Sequence, residues 1–167
     1  MSGPARSAAA DAADALSIEL YEQPGHLIRR AQQISVAMFV EALGRDVTPV
    51  QYAILRMLQD RPGIDQVTLA REVALDNSTT ADIAARLETK GWIHREVLPR
   101  RQRALRLTAE GEAVLARLRP GLKQMNDDLL SRLDVPERAE FMRLLRKFVQ
   151  LNNEQSRAPL RSSVPEA

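Results

Sequence analysis

The side chains best suited to meeting a polyanion stand between Asn77 and Arg106. At 100° per residue, Ser78, Thr79, Asp82, Arg86 and Thr89 gather on one side of a helix, with the small Ala85 beside them. Thr80, Ile83, Ala84 and Leu87 gather on the other and would dock that helix on its domain. A face of small polar residues with one guanidinium lets a backbone approach a major groove, where hydroxyls and an arginine reach base edges or phosphates. The free N–H groups of its first turn, from Asn77 on, also suit a phosphate. Just beyond stand five arginines (Arg95, Arg100, Arg101, Arg103 and Arg106) against one acid, Glu96. Such a run is an electrostatic footprint for phosphate. Taken singly, the helix also fits an ordinary amphipathic surface helix, and the arginines fit a solvated face.

A second set suits a small anion. His26, Arg30 and Gln33 share one helix edge at i, i+4 and i+7, with Arg29 adjacent, and they border an apolar stripe that includes Ile34 and Met38. A ring can lie on that stripe with its carboxylate at Arg30. Tyr52 and Arg56, at i and i+4 of the next helix, can close such a pocket. The same residues also fit solvated helix polars and interchain ion pairs.

Other chemistries lack their ingredients. The chain has no cysteine, which removes disulfides, thiolate catalysis and Cys-based zinc sites. Its two histidines, His26 and His94, are on distant segments. There is no glycine-rich phosphate loop, nucleophile elbow or metal-ligand cluster, so neither an enzyme nor a bound cofactor is expected. The longest mostly apolar run, Val36 to Leu43, holds Glu41 and is far short of a membrane span. With no basic-then-apolar leader, a soluble cytoplasmic protein without a membrane partner is expected.

The positioning elements follow from periodicity and punctuation. At 167 residues with a formal charge of +2, the chain suits one domain, and its low aromatic content (4%) implies an aliphatic core. Residues 1–16 and 154–167 read as disordered tails around a domain at 17–153. A helix is expected from Pro24 to Leu43, stopped by Gly44, with Leu27, Ala31, Ile34, Met38 and Ala42 on one stripe. Val36, Phe39 and Val40 lie elsewhere on that wheel, so the helix is apolar on more than one side and must pack on a second surface or a partner chain. Thr48 and Pro49 open a second helix that breaks at Arg61-Pro62-Gly63. A short helix follows from Gln66 to Val73, then a turn at Leu75-Asp76-Asn77, then the polar-faced helix to Lys90, stopped by Gly91. Trp92 to Val97 and Ala104 to Leu107 read as two strands around a polar tip. Thr108 caps a long helix to about Leu133, which Pro120-Gly121 should kink or break. Asp134 and Glu137 have capping-box spacing and open a last helix with Phe141, Leu144, Leu145 and Phe148 on one stripe. The expected fold is mainly α with a small β-hairpin wing: a winged helix-turn-helix at about 48–108, with N- and C-terminal dimerisation helices at about 20–44 and 109–152.

The segment LAREVALDNSTTADIAARLETKGWIHREVLPRRQRALRLTAEG, from Leu69 to Gly111, resembles the MarR family. Three features carry the resemblance: Leu87-Glu88-x-Lys90-Gly91, Arg95 just beyond it, and Arg100-Arg101 followed by Leu107-Thr108-Ala109-Glu110-Gly111. With the flanking helices it covers roughly residues 20 to 153. The resemblance implies a repressor that binds double-stranded DNA as a homodimer on a palindromic operator. Asn77, Ser78, Thr79, Asp82, Arg86, Thr89 and Arg95 would serve the major groove and its phosphates. Arg100 and Arg101 would sit at the wing tip beside the minor groove, and Arg103 would add a phosphate contact. Pro99 stands where the family usually has Asp, which leaves the wing arginines without that orienting acid. The family also implies release from DNA by a small aromatic acid. The stretch from Gly25 to Gln32 is similar to the branch controlling aromatic-acid breakdown, which points to a hydroxylated benzoate or nicotinate, or to an aryl-CoA thioester, held by His26, Arg29, Arg30, Gln33, Tyr52 and Arg56. A ligand-independent regulator remains the alternative.

Overall fold

The computed structural model describes residues 19–97, 103–156, 158 and 159. The expected wing-tip arginines Arg100 and Arg101, and the whole of the expected N-terminal tail, lie outside the described residues. The chain divides into two compact units, one ending at Ala37 and one beginning at Met38.

In the first unit a 3₁₀ turn at Leu20–Glu22 leads into helix α1, Pro24–Leu43. Pro24 fits a first-turn position because its missing N–H has no helical partner to lose. Within this unit the apolar side chains stay open to solvent: Leu27, Ile28 and Ile34 are each about half exposed. The expected stripe of α1 is therefore not covered by its own unit. The one buried residue of α1 is Phe39, in the second unit, where its ring lies 6.1 Å from that of Tyr52.

The second unit closes an aliphatic core. Thr48 and Gln51 form a reciprocal capping box that starts α2, Pro49–Asp60, and this helix buries Ile54, Leu55 and Leu58. Strand β1, Ile64–Asp65, pairs antiparallel with β3, Arg103–Leu107, which also pairs with β2, Ile93–Val97; the sheet order is β1-β3-β2. The sheet thus has one strand more than the expected hairpin. Asp65 ends β1 and caps α3, Gln66–Glu72, accepting the Val67 and Thr68 N–H groups and the Thr68 hydroxyl. Desolvation pushes its carboxyl up, but those bonds outweigh it and hold Asp65 below the usual range. Helix α4, Asn77–Thr89, then buries Thr80 and joins Ala84 and Leu87 to Ile54, Leu69 and Leu105 in one contiguous cluster.

The turn between α3 and α4 has an unusual residue. Ala74 sits at φ 55°, the only described non-glycine in the left-handed region. Its N–H reaches Arg71 O, and Leu75 N–H reaches Ala70 O, a Schellman closure normally built on glycine. A Cβ in that region costs about 1–2 kcal/mol, partly offset by the extra chain entropy a glycine would lose. Ala74→Gly is therefore expected to raise stability by about 0.5–1 kcal/mol in urea titration. A lower midpoint would mean that the Ala74 methyl makes contacts worth more than its strain.

Helix α5, Ala109–Leu129, begins at the Thr108 cap and runs through Pro120 without interruption. Of the expected kink or break, the break is absent, and the helix ends four residues before the expected Leu133. Pro120 removes one N–H, while Gly121 lets α5 approach the end of α1: a Cβ there would lie 2.7 Å from Leu43 Cδ2 and 3.3 Å from Ala42 O. The Asp134–Glu137 capping box opens α6, Val135–Leu151. A 3₁₀ turn at Asn153–Gln155 follows, and Ala158 is buried, where a frayed tail from 154 was expected. No helix among the described residues is long and apolar enough to cross a membrane.

Candidate nucleic-acid interface

Helix α4 presents the face expected of it. Asn77, Ser78, Asp82, Arg86 and Thr89 are exposed and Thr79 is half-buried, while the opposite side is sealed into the core. The helix is held at both ends. At its start, Asp76 accepts the Thr79 N–H at 2.7 Å, the Ser78 hydroxyl at 2.6 Å and the Thr79 hydroxyl at 2.7 Å. The Ser78 bond, then the two Thr79 bonds, hold the Asp76 carboxyl far below the usual carboxylate range. At its end, Gly91 adopts φ +74°, which an L side chain rarely does. Gly91 N–H reaches Glu88 O and Trp92 N–H reaches Leu87 O, which stops the helix and turns the chain into β2.

Two side chains not singled out for this purpose lock that turn. Lys90 donates to the Asp46 carbonyl at 2.8 Å and lies 4.3 Å over the Trp92 ring. Glu88 accepts from Arg95 Nε at 2.7 Å and from the Arg95 N–H at 3.2 Å, tying α4 to β2. The hydrogen bond from Arg95 is the main reason the Glu88 carboxyl sits below its ordinary value. The Arg95 side chain is only 20% exposed. Grouped with the DNA contacts on sequence, Arg95 in this structure pairs with Glu88 and braces α4 against β2. On β3, Arg103 and Arg106 are exposed; Arg106 stands opposite His94, and its guanidinium lies against Gly63.

The candidate ligand residues fall in both units. In the first, the Tyr21 ring meets His26 edge-on at 5.2 Å, and the Arg30 guanidinium lies 5.6 Å over Tyr21. His26 Nε2 is shielded from solvent and has no hydrogen-bond partner among the described residues. Arg29 and Gln33 are exposed. In the second unit, Tyr52 and Arg56 of α2 line a cleft of about 250 Å³ together with Gln59 and with Leu115, Arg119 and Leu122 of α5. The α5 residues were missed on sequence. Their i, i+4, i+7 spacing marks a shared face, but nothing local says that this face meets α2. Among the described residues no group of His, Asp or Glu side chains is placed to hold a metal ion.

Comparison with known proteins agrees with this architecture. The MarR family matches residues 47–105, from the loop before α2 through most of β3. The transcriptional regulator HosA of Escherichia coli O127:H6 is 37% identical over 126 residues, covering 74% of this chain and 93% of HosA. The chain belongs to the MarR family. It is a transcriptional regulator with a winged helix-turn-helix fold, and its relatives are regulators rather than enzymes. The PcaV regulator of Streptomyces coelicolor, solved with its natural ligand, superposes with a TM-score of 0.76 at 36% identity, over 80% of this chain and 96% of PcaV. BpsR of Bordetella bronchiseptica, whose DNA binding is regulated by 6-hydroxynicotinic acid, superposes with a TM-score of 0.75 at 28% identity, over 80% of this chain and 98% of BpsR. In this MarR-family chain, the Thr108-to-Gly111 segment is the start of α5, and Lys90-Gly91 is the Schellman stop of α4.

Proposed function

We propose that this MarR-family protein is a cytoplasmic repressor that binds a palindromic operator as a homodimer and releases it when a small aromatic carboxylate binds. The observation that carries the DNA reading is α4: a rigid helix, capped and braced at both ends, with a polar outer face and an apolar inner one. Asn77, Ser78, Thr79, Asp82, Arg86 and Thr89 face the major groove in this reading, with Arg103 on the wing and, from sequence, Arg100 and Arg101 at its tip. Dimerisation is supported by apolar side chains left open in the single chain, on α1 and on α6. Two-fold symmetry of the protein then implies a palindromic site.

The effector reading is supported by the cleft between α2 and α5. Leu115 and Leu122 offer an apolar surface, and Arg56 and Arg119 offer guanidinium groups to a carboxylate. Of two regulators similar to this chain, PcaV was solved with its natural ligand, and the DNA binding of BpsR is regulated by 6-hydroxynicotinic acid. One observation favours a ligand-independent regulator instead: Arg56 already has Gln59 and Asp60 as partners.

The test is an anisotropy titration of the full chain on an operator selected from random DNA. Affinity should fall linearly with salt on logarithmic axes, about 0.9 for each phosphate neutralised. Hydroxybenzoates, hydroxynicotinates and hydroxycinnamoyl thioesters are then added to the complex. One acid should release the DNA, and Arg119→Ala should raise the concentration required about tenfold, or ~1.4 kcal/mol. His26→Ala and Arg30→Ala test the Tyr21 cluster as the effector's seat instead. Release by none of these compounds would leave the ligand-independent reading.

A further inference from the structure

The four hydroxyls of α4 share a property that follows from proton counting. Ser78 and Thr79 both have their hydroxyl oxygen within 2.7 Å of an Asp76 carboxylate oxygen. An ionised carboxylate has no proton to give, so both hydroxyls must be the donors. Thr80 donates to the Asp76 carbonyl at 2.8 Å, and Thr89 donates to the Ala85 carbonyl at 3.0 Å. Each hydroxyl carries one hydrogen, and each hydrogen is used within the protein. Thr80 is buried, while Ser78 and Thr89 are exposed and Thr79 is half-buried, so these three show an outside partner lone pairs only. Asp82, exposed on the same side of the helix, is also an acceptor without protons.

A phosphate oxygen is itself an acceptor and cannot bond to such a group. The donors available in a major groove are the exocyclic amino groups, N6 of adenine and N4 of cytosine. We infer that, with α4 in the major groove, Ser78, Thr79 and Thr89 accept hydrogen bonds from adenine or cytosine amino groups and make none to the backbone, and that Asp76 is the positioning residue imposing this polarity on Ser78 and Thr79, while the Ala85 carbonyl imposes it on Thr89. The inference rests on the DNA reading proposed above and adds which partner each hydroxyl can take. Every base pair carries one major-groove amino group, so the consequence is strand choice. At the base pairs these hydroxyls contact, A or C is required on one strand and excluded from the other. Turning the Ser78 or Thr79 hydroxyl outward would break a charge-assisted bond to Asp76, the stronger class of hydrogen bond. Phosphate contacts fall instead to donors, such as Arg86 and the first-turn N–H groups that Asp76 does not already take, since it holds those of Thr79 and Thr80.

The experiment uses the full chain and its selected operator. Single adenines are replaced by purine, or single cytosines by 2-pyrimidinone, to delete one amino group. In separate duplexes single phosphates are neutralised as methylphosphonates. Ser78→Ala, an exposed change, and Asp76→Asn, which keeps an N-cap acceptor, are compared with wild type. At one position the amino deletion should cost wild type about 3–10-fold in affinity, and Ser78→Ala should lose a similar factor on the intact operator and nothing more on the modified one. Asp76→Asn brings an amide donor to the hydroxyls and frees a hydroxyl proton outward, so its selected operators should shift towards T or G on that strand. The inference is overturned if the Ser78→Ala loss couples to a methylphosphonate rather than to an amino deletion, or if wild type prefers T or G there. Sequence-specific binding with no coupling to any amino group removes this inference alone. Absence of operator binding by wild type removes the DNA reading with it.

Discussion

Gly111→Ala is expected to be severely destabilising, although it places the best helix former inside a helix. A Cβ at residue 111 would stand 2.1 Å from the Trp92 carbonyl oxygen, 3.0 Å from its carbon and 3.1 Å from Leu107 Cδ2. Ordinary carbon–oxygen contacts lie at about 3.3–3.6 Å, so α5 and the Trp92 turn that leads into β2 would have to part by roughly an ångström. The obstacle is backbone and has no rotamer to escape into. Its surroundings are also fixed: Trp92 O accepts the Thr108 N–H, Thr108 donates its hydroxyl to Gly91 O at 2.6 Å, and the same hydroxyl oxygen caps Gly111 N–H. Alanine gains about 1 kcal/mol in helix propensity over glycine. Overpacking against backbone costs more, and a net loss of about 2–4 kcal/mol is expected, a melting-temperature drop on the order of 5–15 °C. Glu112→Ala, exposed on the same turn, should change stability by about 0.5 kcal/mol or less and serves as the control. An unchanged or higher melting temperature for Gly111→Ala would falsify the close approach of α5 to the Trp92 backbone. Because Gly91 ends α4, the same joint sets the exit of the recognition helix, so the variant should also lose operator affinity at temperatures where it remains folded.

The second large effect concerns α6. Phe141, Leu144, Leu145, Phe148 and Val149 are 42–49% exposed in the single chain, an apolar strip along most of the helix. In the dimeric reading this strip is buried, and Phe148→Glu places a carboxylate inside it. An unpaired buried charge costs several kcal/mol, and a symmetric interface receives two of them. The variant is expected to sediment as a monomer at micromolar concentration. The core cluster around Ile54, Leu87 and Leu105 lies within one chain, so the circular dichroism of the helical domain should persist. Operator affinity should fall by about 10²–10⁴-fold, the factor normally gained when two linked half-sites bind together. A Phe148→Glu protein that stays dimeric and binds its operator as wild type does would show that the α6 strip is not the interface.

Much of the architecture was legible because its signals are local. Thr48-Pro49 and Asp134-x-x-Glu137 act over three residues, and both caps form as their spacing requires. The two faces of α4 follow from a 3.6-residue period, and Thr80, Ala84 and Leu87 are the residues buried. Gly91 stops α4 for a reason that sits in one residue's φ.

What the sequence by itself determined was therefore the order of elements and the polar and apolar faces of each. The tertiary structure alone decided how those faces are used. Strand β1 is two residues long and exists only because Ile64 and Asp65 find Leu105 and Ala104 some 40 residues away. Pro120-Gly121 reads as a kink or break, yet the helix continues through it, and Gly121 lets it pass close to Leu43 and Ala42, whose position no local rule contains. Arg95 counts as one cation among five until the turn at Gly91 brings Glu88 against it and makes it a brace. Arg119 joins Arg56 only because α5 packs on α2. Caps, periods and turns depend on atoms within about four residues, whereas strand pairing, close approach and clefts depend on contacts whose partners are set by the closing of the core.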